Sequence, residues 1–231
     1  MKWFVGLFLP LFSLSQTTTD TMHYTCNCKP VYTYLALGDS YTIGEGVLLT
    51  KNFPYQTVSL LRKEGFDFAG PEIIAKTGWT ADELEMGITN HRLSTKYDYV
   101  SLLIGVNNQY RGRSIAEYKQ QLERLLKKSI ELANDKPGNV FVVSIPDYGC
   151  TPFGQALNPQ KITREIDEYN NLNKALSIQF NVQYIEITES SRKAKTNASL
   201  VAADGLHPSA KEYAKWAKKL VGAMLSGIKK A

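Results

Sequence analysis

The feature that most constrains the fold is an alternation of short apolar runs with longer amphipathic segments. The runs predict strands at Tyr32–Leu37, a weaker strand at Phe66–Ala69 or Glu72–Ala75, Tyr99–Ile104, Val140–Ile145 and Val182–Ile187. Helix-like sequence follows each of them. Strands that are apolar throughout are typical of a parallel sheet, because crossover helices bury both of its faces. The pattern therefore predicts an α/β fold with a covered parallel sheet.

Two of the amphipathic segments begin with a capping box, in which a Ser or Thr and a Glu three residues later satisfy backbone N–H groups. The boxes are Thr80 to Glu83 and Ser114 to Glu117. A third helix is predicted from Ser209 to about Lys229, where an apolar face lies opposite a row of lysines. We interpret those lysines as a solvated face.

Length and composition indicate one globular domain: 231 residues, of which 43% are hydrophobic and 21% charged. The formal net charge is +5, but the lysines are spread over several predicted helices and form no block. We therefore predict no nucleic-acid partner. No spacing of Cys and His resembles a zinc site, so we also expect no metal or other cofactor.

The first 15 residues have the pattern of a secretory signal peptide. Lys2 precedes a short apolar run, and Ser13 and Ser15 are small residues at the −3 and −1 positions of a cut. An uncleaved anchor is the alternative, but the run is shorter than the ~20 apolar residues of a spanning helix. We expect export to the periplasm or the exterior, with no integral membrane segment after cleavage. Residues 16–30 would then form a linker arm and residues 31–231 the folded domain.

The chain has three cysteines, Cys26, Cys28 and Cys150. In an exported chain an odd number leaves at least one thiol unpaired or paired with another molecule. One interpretation is a disulfide from Cys26 or Cys28 to the loop of Cys150. The other is free thiols in the arm and the loop, and spacing does not choose between them.

In a parallel sheet, ligands bind beyond the carboxyl ends of the strands. The corresponding segments are 38–46, 105–113, 146–160 and 204–208. The first of them is glycine-rich, reading from Gly38-Asp39-Ser40 to Gly46. Its glycine spacing fits neither a dinucleotide fingerprint nor a Walker A loop, and it lacks the last glycine of a G-x-S-x-G elbow. If Ser40 is a nucleophile, it belongs to another scaffold.

A serine hydroxyl needs a base to take its proton, and the base needs a third group that orients it. His207 meets this requirement, because Asp204 lies three residues upstream on a tight glycine-containing turn. His23 falls in the predicted arm, and His91 falls at the end of a short helix. Ser40, Asp204 and His207 are therefore the candidate catalytic residues.

Acyl transfer also needs donors aimed at the oxyanion, typically backbone N–H groups in glycine-containing loops and an amide side chain. Asn107 offers an amide directly after the strand that ends near Ile104. The N–H groups of Gly78 and Ser40 are two further candidates. All three lie on loops at the same end of the predicted sheet.

Together these segments resemble the SGNH (GDSL) hydrolase family. The matching blocks are Gly38-Asp39-Ser40, Gly78, Gly105-Val106-Asn107-Asn108 and Asp204-Gly205-Leu206-His207. The resemblance runs from residue 32 to about residue 228. It implies a flavodoxin-like, three-layer α/β/α fold with a parallel five-stranded sheet, a Ser-His-Asp triad, and an oxyanion hole formed by Ser40, Gly78 and Asn107.

Two residues depart from the family pattern. Asn108 stands where the third block usually has Asp, and Tyr41 replaces the common Leu after the serine. We expect activity to survive both changes, although the Asn108 substitution puts the local loop geometry in question.

The function that the resemblance implies is an exported serine ester hydrolase acting on a small or medium acyl ester of a small molecule, a lipid or a carbohydrate. A thioesterase or lysophospholipase with the same machinery is the first alternative, and a catalytically silent carbohydrate- or surface-binding module is the second. The rim residues Tyr110, Tyr148 and Phe153 either line an acyl pocket or pack. Arg111 and Arg113 either bind an anionic group or are solvated.

Overall fold

A parallel five-stranded sheet lies at the centre of the fold. The computed structural model describes residues 30–93 and 96–228, together with Met1 and Trp3. The strands are β1 (Tyr34–Gly38), β2 (Glu72–Ala75), β3 (Tyr99–Leu103), β4 (Val140–Val143) and β5 (Gln183–Ile185). The helices are α1 (Ser40–Ile43), α2 (Phe53–Lys63), α3 (Ala81–Asn90), α4 (Val106–Tyr110), α5 (Ile115–Leu132), α6 (Pro152–Gln155), α7 (Pro159–Gln179), α8 (Thr188–Arg192) and α9 (Ala210–Ile228).

The order of the strands fixes where a ligand can bind. The sheet runs β2-β1-β3-β4-β5, and every pair is parallel. Strand β2 lies on one side of β1, and β3, β4 and β5 follow in order on the other side. The direction of the crossovers therefore changes between β1 and β3, which form the topological switch point. Ligands of such sheets bind in the crevice at that point, beyond the carboxyl ends of the strands. Ser40 follows β1 there, and Gly105 follows β3.

Helices cover both faces of the sheet and produce the three expected layers. Helix α2 packs against α9, while α5 packs against both α3 and α7. All residues of β1, β3 and β4 are buried. This burial explains why these strands read as continuous apolar runs, and the expected α/β/α fold is confirmed.

The helices begin at the predicted capping residues. Thr80 and Glu83 form a complete capping box at α3, and the Ser114 hydroxyl accepts the Glu117 N–H at the start of α5. Helices α2 and α7 lie in the helix-like sequence expected after β1 and β4, but their bounds were not predicted. Asn side chains cap them, each followed within two residues by a proline in the first turn.

The strands lie where they were predicted, but one or both of their ends differ from the predicted bounds by one or two residues, except at Glu72–Ala75. The weak strand is Glu72–Ala75, which pairs with β1 over four positions, whereas Phe66–Ala69 contributes a single bridge between Tyr32 and Phe68. Strand β5 has only three residues. It ends early because the Ser144 hydroxyl, in place of a backbone carbonyl, accepts the Ile187 N–H at 2.8 Å.

The predicted signal peptide, residues 1–15, and the arm, residues 16–30, lie outside the described residues apart from Met1, Trp3 and Pro30. Cys26 and Cys28 lie there as well, so the pairing of Cys150 stays a prediction. In the described ranges, no helix has the length and apolar character needed to cross a membrane.

Candidate active site

Ser40 is the first residue of α1, two residues after the end of β1. Asp39 caps this helix, its Oδ1 accepting the Tyr41 N–H at 3.0 Å. A Cβ at Gly38 would overlap the Thr42 hydroxyl and the Leu103 carbonyl, so only glycine fits where the strand turns into the helix. At the other end, Gly44 has a φ of 83° and its N–H donates to the Ser40 carbonyl. Backbone hydrogen bonds therefore fix the position of Ser40.

Asp204 holds His207 in one orientation. Its Oδ2 lies 2.7 Å from His207 Nδ1, and its Oδ1 accepts the N–H groups of Leu206 and His207, each at 2.9 Å. Partial burial raises the pKa of Asp204, but these hydrogen bonds outweigh it, so the pKa lies below its ordinary value. Because the carboxylate is ionised and only accepts, Nδ1 carries the proton of a neutral imidazole. Nε2 is then the basic nitrogen.

A cavity of about 200 Å³ brings the candidate residues together. It is lined by Ser40, Tyr41, Val106, Asn107, Tyr110, Tyr148, Phe153, Leu206 and His207. Among the described residues, no hydrogen bond joins the Ser40 hydroxyl to the His207 ring. Bonds between a nucleophile and its base are often long without substrate and shorten when it binds. The arrangement therefore places a hydroxyl, an imidazole and an amide on one apolar-walled cavity.

Asn107 reaches this cavity from the start of α4. The preceding Gly105, with a φ of 120°, ends β3 and opens the helix. The Asn107 side chain donates one amide N–H to the Trp79 carbonyl at 2.9 Å. An amide nitrogen has two donors, so one remains for a ligand in the cavity.

Gly78 is not part of the wall of this cavity. It occupies a turn closed by the Trp79 N–H and the Lys76 carbonyl at 3.1 Å. The Gly78 carbonyl accepts a hydrogen bond from Arg111 Nη2 at 2.6 Å. In the part of the chain that the structure describes, the Gly78 N–H has no hydrogen-bond partner. Gly78 is thus connected to Asn107 through its neighbour Trp79, but the structure does not bring it to the cavity as it does Ser40, Asn107 and His207.

The two departures from the family pattern have separate roles. Asn108 is fully buried; its Oδ1 accepts the N–H of Ala81, the first residue of α3, at 2.9 Å. Its amide donates to Gln121 at 2.8 Å, so the loop after β3 is tied to α3 and α5. The rings of Tyr41 and His207 form a T-shaped pair, with 5.7 Å between centroids. Neither contact was predicted, since neither partner is near in sequence.

Asp39 is a second carboxyl group close to Ser40, and its surroundings are unlike those of Asp204. It is completely buried, and its Oδ2 has no partner in the described structure. Burial raises the pKa of Asp39 to about 7, against the lowering effect of the Tyr41 N–H. The group next to Ser40 is therefore partly protonated near neutral pH.

Among the described residues, no group of three or more His, Cys, Asp and Glu side chains is arranged to hold a metal ion.

The contact between Arg111 and the Gly78 carbonyl was not predicted from the sequence. A signal for it exists: Arg111 lies four residues after Asn107, one helical turn further along the same face.

Comparisons with known proteins agree with this architecture. Residues 36–215 match the GDSL-like lipase/acylhydrolase family. No curated protein sequence matches the chain. Among solved structures, a lipase/acylhydrolase from Enterococcus faecalis is 18% identical with a TM-score of 0.68, covering 83% of this chain and 94% of that one.

Two other solved structures have the same fold. TesA is 19% identical with a TM-score of 0.66, covering 83% of this chain and 97% of its own. Axe2, an acetylxylan esterase from Geobacillus stearothermophilus, is 20% identical with a TM-score of 0.65, covering 86% and 94% respectively. These similarities show the fold, and the match over residues 36–215 shows the family. The chain therefore belongs to the GDSL-like lipase/acylhydrolase family of hydrolases.

Proposed function

We propose that the protein is an exported serine ester hydrolase in which Ser40 is the nucleophile, His207 the base and Asp204 the group that orients it. The observation that carries this proposal is the hydrogen bond between Asp204 and His207, whose ring lines the same cavity as Ser40. The hydrogen bond to Asp204 leaves His207 Nε2 as the nitrogen that can take a proton. Family membership supports the same chemistry.

The reaction proceeds in two halves. Ser40 Oγ attacks the ester carbonyl carbon while its proton passes to His207 Nε2, and Asp204 stabilises the imidazolium. His207 returns the proton to the leaving alkoxide, which departs as the alcohol and leaves an acyl-serine. Water then attacks the acyl carbon and gives its proton to His207. The acid departs as Ser40 regains a proton from Nε2.

Three donors stabilise the oxyanion of each tetrahedral intermediate. Asn107 supplies the amide N–H that does not bind Trp79. Ser40 supplies its backbone N–H, one of those that the first turn of a helix leaves unpaired. Gly78 supplies the N–H that has no other partner among the described residues. Removing one donor of this kind typically costs about 10²–10³ in kcat.

The cavity supports a small or medium acyl ester without a charge near the carbonyl. Three of its side chains, Tyr110, Tyr148 and Phe153, form a triangle with ring centroids 6.3–6.4 Å apart. Among the described residues, the wall of this cavity includes His207 but no Asp, Glu, Lys or Arg side chain. Its volume of about 200 Å³ is below the ~300–1,000 Å³ of typical drug-sized sites.

Ester hydrolysis by the wild type beside Ser40→Ala tests the proposal. The chain from Gln16 onward is assayed with p-nitrophenyl acetate, butyrate and octanoate and with an acyl-CoA. We expect Ser40→Ala to lower kcat by about 10⁴-fold or more. A fluorophosphonate should label the wild type and not the variant. Equal inertness of both proteins, without labelling, would instead favour the silent binding module.

The acyl-chain preference tests the role of the aromatic triangle. Phe153→Ala opens one wall of the cavity, so we expect the octanoate-to-acetate ratio of kcat/KM to rise by about tenfold, the scale of one methylene group in an apolar pocket. Leu157→Ala is the matched control, because Leu157 is exposed nearby and does not line the cavity. An unchanged ratio in both variants would place the acyl chain elsewhere.

Export is part of the proposal and rests on the pattern of residues 1–15. Expression of the full chain in a secreting host should release a protein whose first residue is Gln16. Lys2→Glu should reduce its release, because the positive charge before the apolar run directs export. Retention of an intact Met1 would contradict this part of the proposal.

A further inference from the structure

Two side chains of one helical face bind consecutive carbonyl groups of the turn Lys76–Trp79. Asn107 donates to the Trp79 carbonyl at 2.9 Å, and Arg111 donates to the Gly78 carbonyl at 2.6 Å. Asn107 and Arg111 are four residues apart, so they project from the same side of α4 and its C-cap. The turn is therefore attached to α4 at two adjacent points.

The conformation of this turn decides where the Gly78 N–H points. The Trp79 N–H binds the Lys76 carbonyl at 3.1 Å, and Gly78, at the third position, has a φ of 83°. A positive φ at that position is what a type II turn requires. Type I and type II turns differ mainly in the orientation of their central peptide, and here that peptide carries the Gly78 N–H.

The peptide that carries this N–H is held on both sides. On one side, the Thr77 hydroxyl donates to Glu45 Oε2 at 2.5 Å. On the other side, Arg111 holds the Gly78 carbonyl and also pairs with Glu83 at 3.2 Å. Arg111 thereby connects the turn to both α4 and α3.

We propose that Arg111 is a positioning residue for the oxyanion hole: by binding the Gly78 carbonyl, it keeps the turn in the conformation that presents the Gly78 N–H beside the Asn107 amide. The inference rests on the proposed function, since it needs an oxyanion to stabilise. It goes beyond that function because Arg111 is not among the residues that line the cavity. Its guanidinium is engaged by protein groups, which argues against a role in binding an anionic substrate.

Arg113 provides a matched control. It lies two residues further along and also pairs with α3, through Asp82 at 2.9 Å, and with Glu117 at 3.0 Å. In the described structure it makes no hydrogen bond to the turn Lys76–Trp79. Loss of Arg113 therefore removes an ion pair with the same helix and leaves the Gly78 carbonyl bound to Arg111.

The experiment compares kcat and KM of Arg111→Ala, Arg111→Lys and Arg113→Ala on p-nitrophenyl butyrate. An oxyanion donor acts in the transition state, so we expect Arg111→Ala to lower kcat by about tenfold to a hundredfold with KM changed less than about threefold. Arg113→Ala should keep the wild-type kcat. Millimolar guanidinium should restore part of the activity of Arg111→Ala and have no such effect on wild type.

Three outcomes would overturn the inference. One is a kcat of Arg111→Ala equal to that of Arg113→Ala. Another is a rise in KM confined to an anionic ester such as p-nitrophenyl monosuccinate, which would assign Arg111 to anion binding. A third is a loss of kcat that parallels a loss of thermal stability and is not rescued by guanidinium.

Failure of the proposed function would look different. Wild type would then match Ser40→Ala, whatever residue stands at position 111. The rate of Ser40 labelling by a fluorophosphonate gives a second readout that requires no ester substrate. Ser40 attacks the phosphorus atom of the label, and the phosphoryl oxygen then needs the same donors as the oxyanion. Arg111→Ala should therefore slow labelling, whereas Arg113→Ala should not.

Discussion

The segment of Ser40 and the segment of His207 reach the same cavity, but they are stabilised by different means. Backbone hydrogen bonds of α1 hold Ser40, and its neighbour Asp39 is buried with one oxygen unpaired. A single side chain, Asp204, holds His207 through two hydrogen bonds and accepts a third from the Leu206 N–H, while its carboxylate remains in contact with solvent. Ser40 is thus fixed by the main chain, whereas the orientation of His207 depends on one carboxylate.

This difference has an electrostatic consequence. Burial raises the pKa of Asp39, whereas hydrogen bonds lower the pKa of Asp204 despite its partial burial. The two carboxyl groups therefore make opposite contributions to the pH dependence of stability. The following predictions test the comparison.

The largest expected effect is that of Asp204→Asn. The amide preserves the size of the side chain but favours the wrong tautomer of His207, so we expect kcat/KM to fall by about 10³–10⁴. Thermal unfolding should lose only the modest stabilisation that goes with the lowered pKa of Asp204, because an amide oxygen can still accept the N–H groups of Leu206 and His207. Kinetics on p-nitrophenyl butyrate and calorimetry check the two parts.

Asp98→Asn is the matched control for this variant. Asp98 accepts two hydrogen bonds from Thr33 at the opposite end of the sheet, at 2.7 and 2.9 Å. Its replacement should leave kcat/KM at the wild-type level. Wild-type activity in Asp204→Asn as well would show that His207 does not depend on its carboxylate.

The next effect is the pH dependence of stability due to Asp39. Its folded-state pKa of about 7 exceeds the ordinary aspartate value of 3.8, so the folded protein binds more protons than the unfolded chain between these pH values. Stability therefore falls as pH rises through this window, by up to about 4 kcal/mol. Asp39→Asn keeps a capping side chain and cannot ionise, so its free energy of unfolding should lack this decline.

Urea unfolding of wild type and Asp39→Asn across this window measures the difference. Asp204 has the opposite effect on the pH dependence of stability. Because its folded-state pKa is lowered, it stabilises the fold at pH values above its unfolded-state pKa, and this stabilisation is lost as the pH falls from there through the folded-state pKa. Parallel curves for wild type and Asp39→Asn would show that the pKa of Asp39 is not raised.

The smallest effect is expected at Gly46, where the two segments meet. Gly46 has a φ of 79°, and a Cβ there would lie 2.9 Å from Ala202 Cβ and 3.0 Å from Asp204 Oδ2. Gly46→Ala should destabilise the fold by about 1–3 kcal/mol. It should also lower kcat severalfold, because the methyl group displaces the carboxylate that orients His207.

Gly65→Ala separates these two causes. Gly65 has a φ of 89°, but a Cβ there would meet no heavy atom within 4 Å. This variant should show the backbone strain alone, about 1 kcal/mol, with unchanged kcat. An equal loss of kcat in both variants would mean that strain, and not the contact with Asp204, affects the site.

Much of the fold was predictable because its signals are local. Apolar runs marked β1, β3 and β4, since strands buried on both faces need apolar residues throughout. Capping boxes marked the starts of α3 and α5, and each box is a signal contained in four consecutive residues. The predicted length of β5 was too great, because the Ser144 hydroxyl accepts the Ile187 N–H and so ends the strand pairing. Ser144 follows β4 and is remote from β5 in sequence, so the apolar run of β5 carries no sign of it.

In the site, too, local contacts were predictable and contacts between distant segments were not. The spacing of Asp204 and His207 was sufficient to anticipate their contact, because a three-residue turn closes that distance locally. The partners of Tyr41, Asn108 and Arg111 come from remote segments, so only the packed sheet and its helices select them. Burial of Asp39 is likewise a property of the assembled core, and with it the raised pKa. Local periodicity and capping thus specify the elements, whereas contacts between distant segments set the geometry and electrostatics around Ser40.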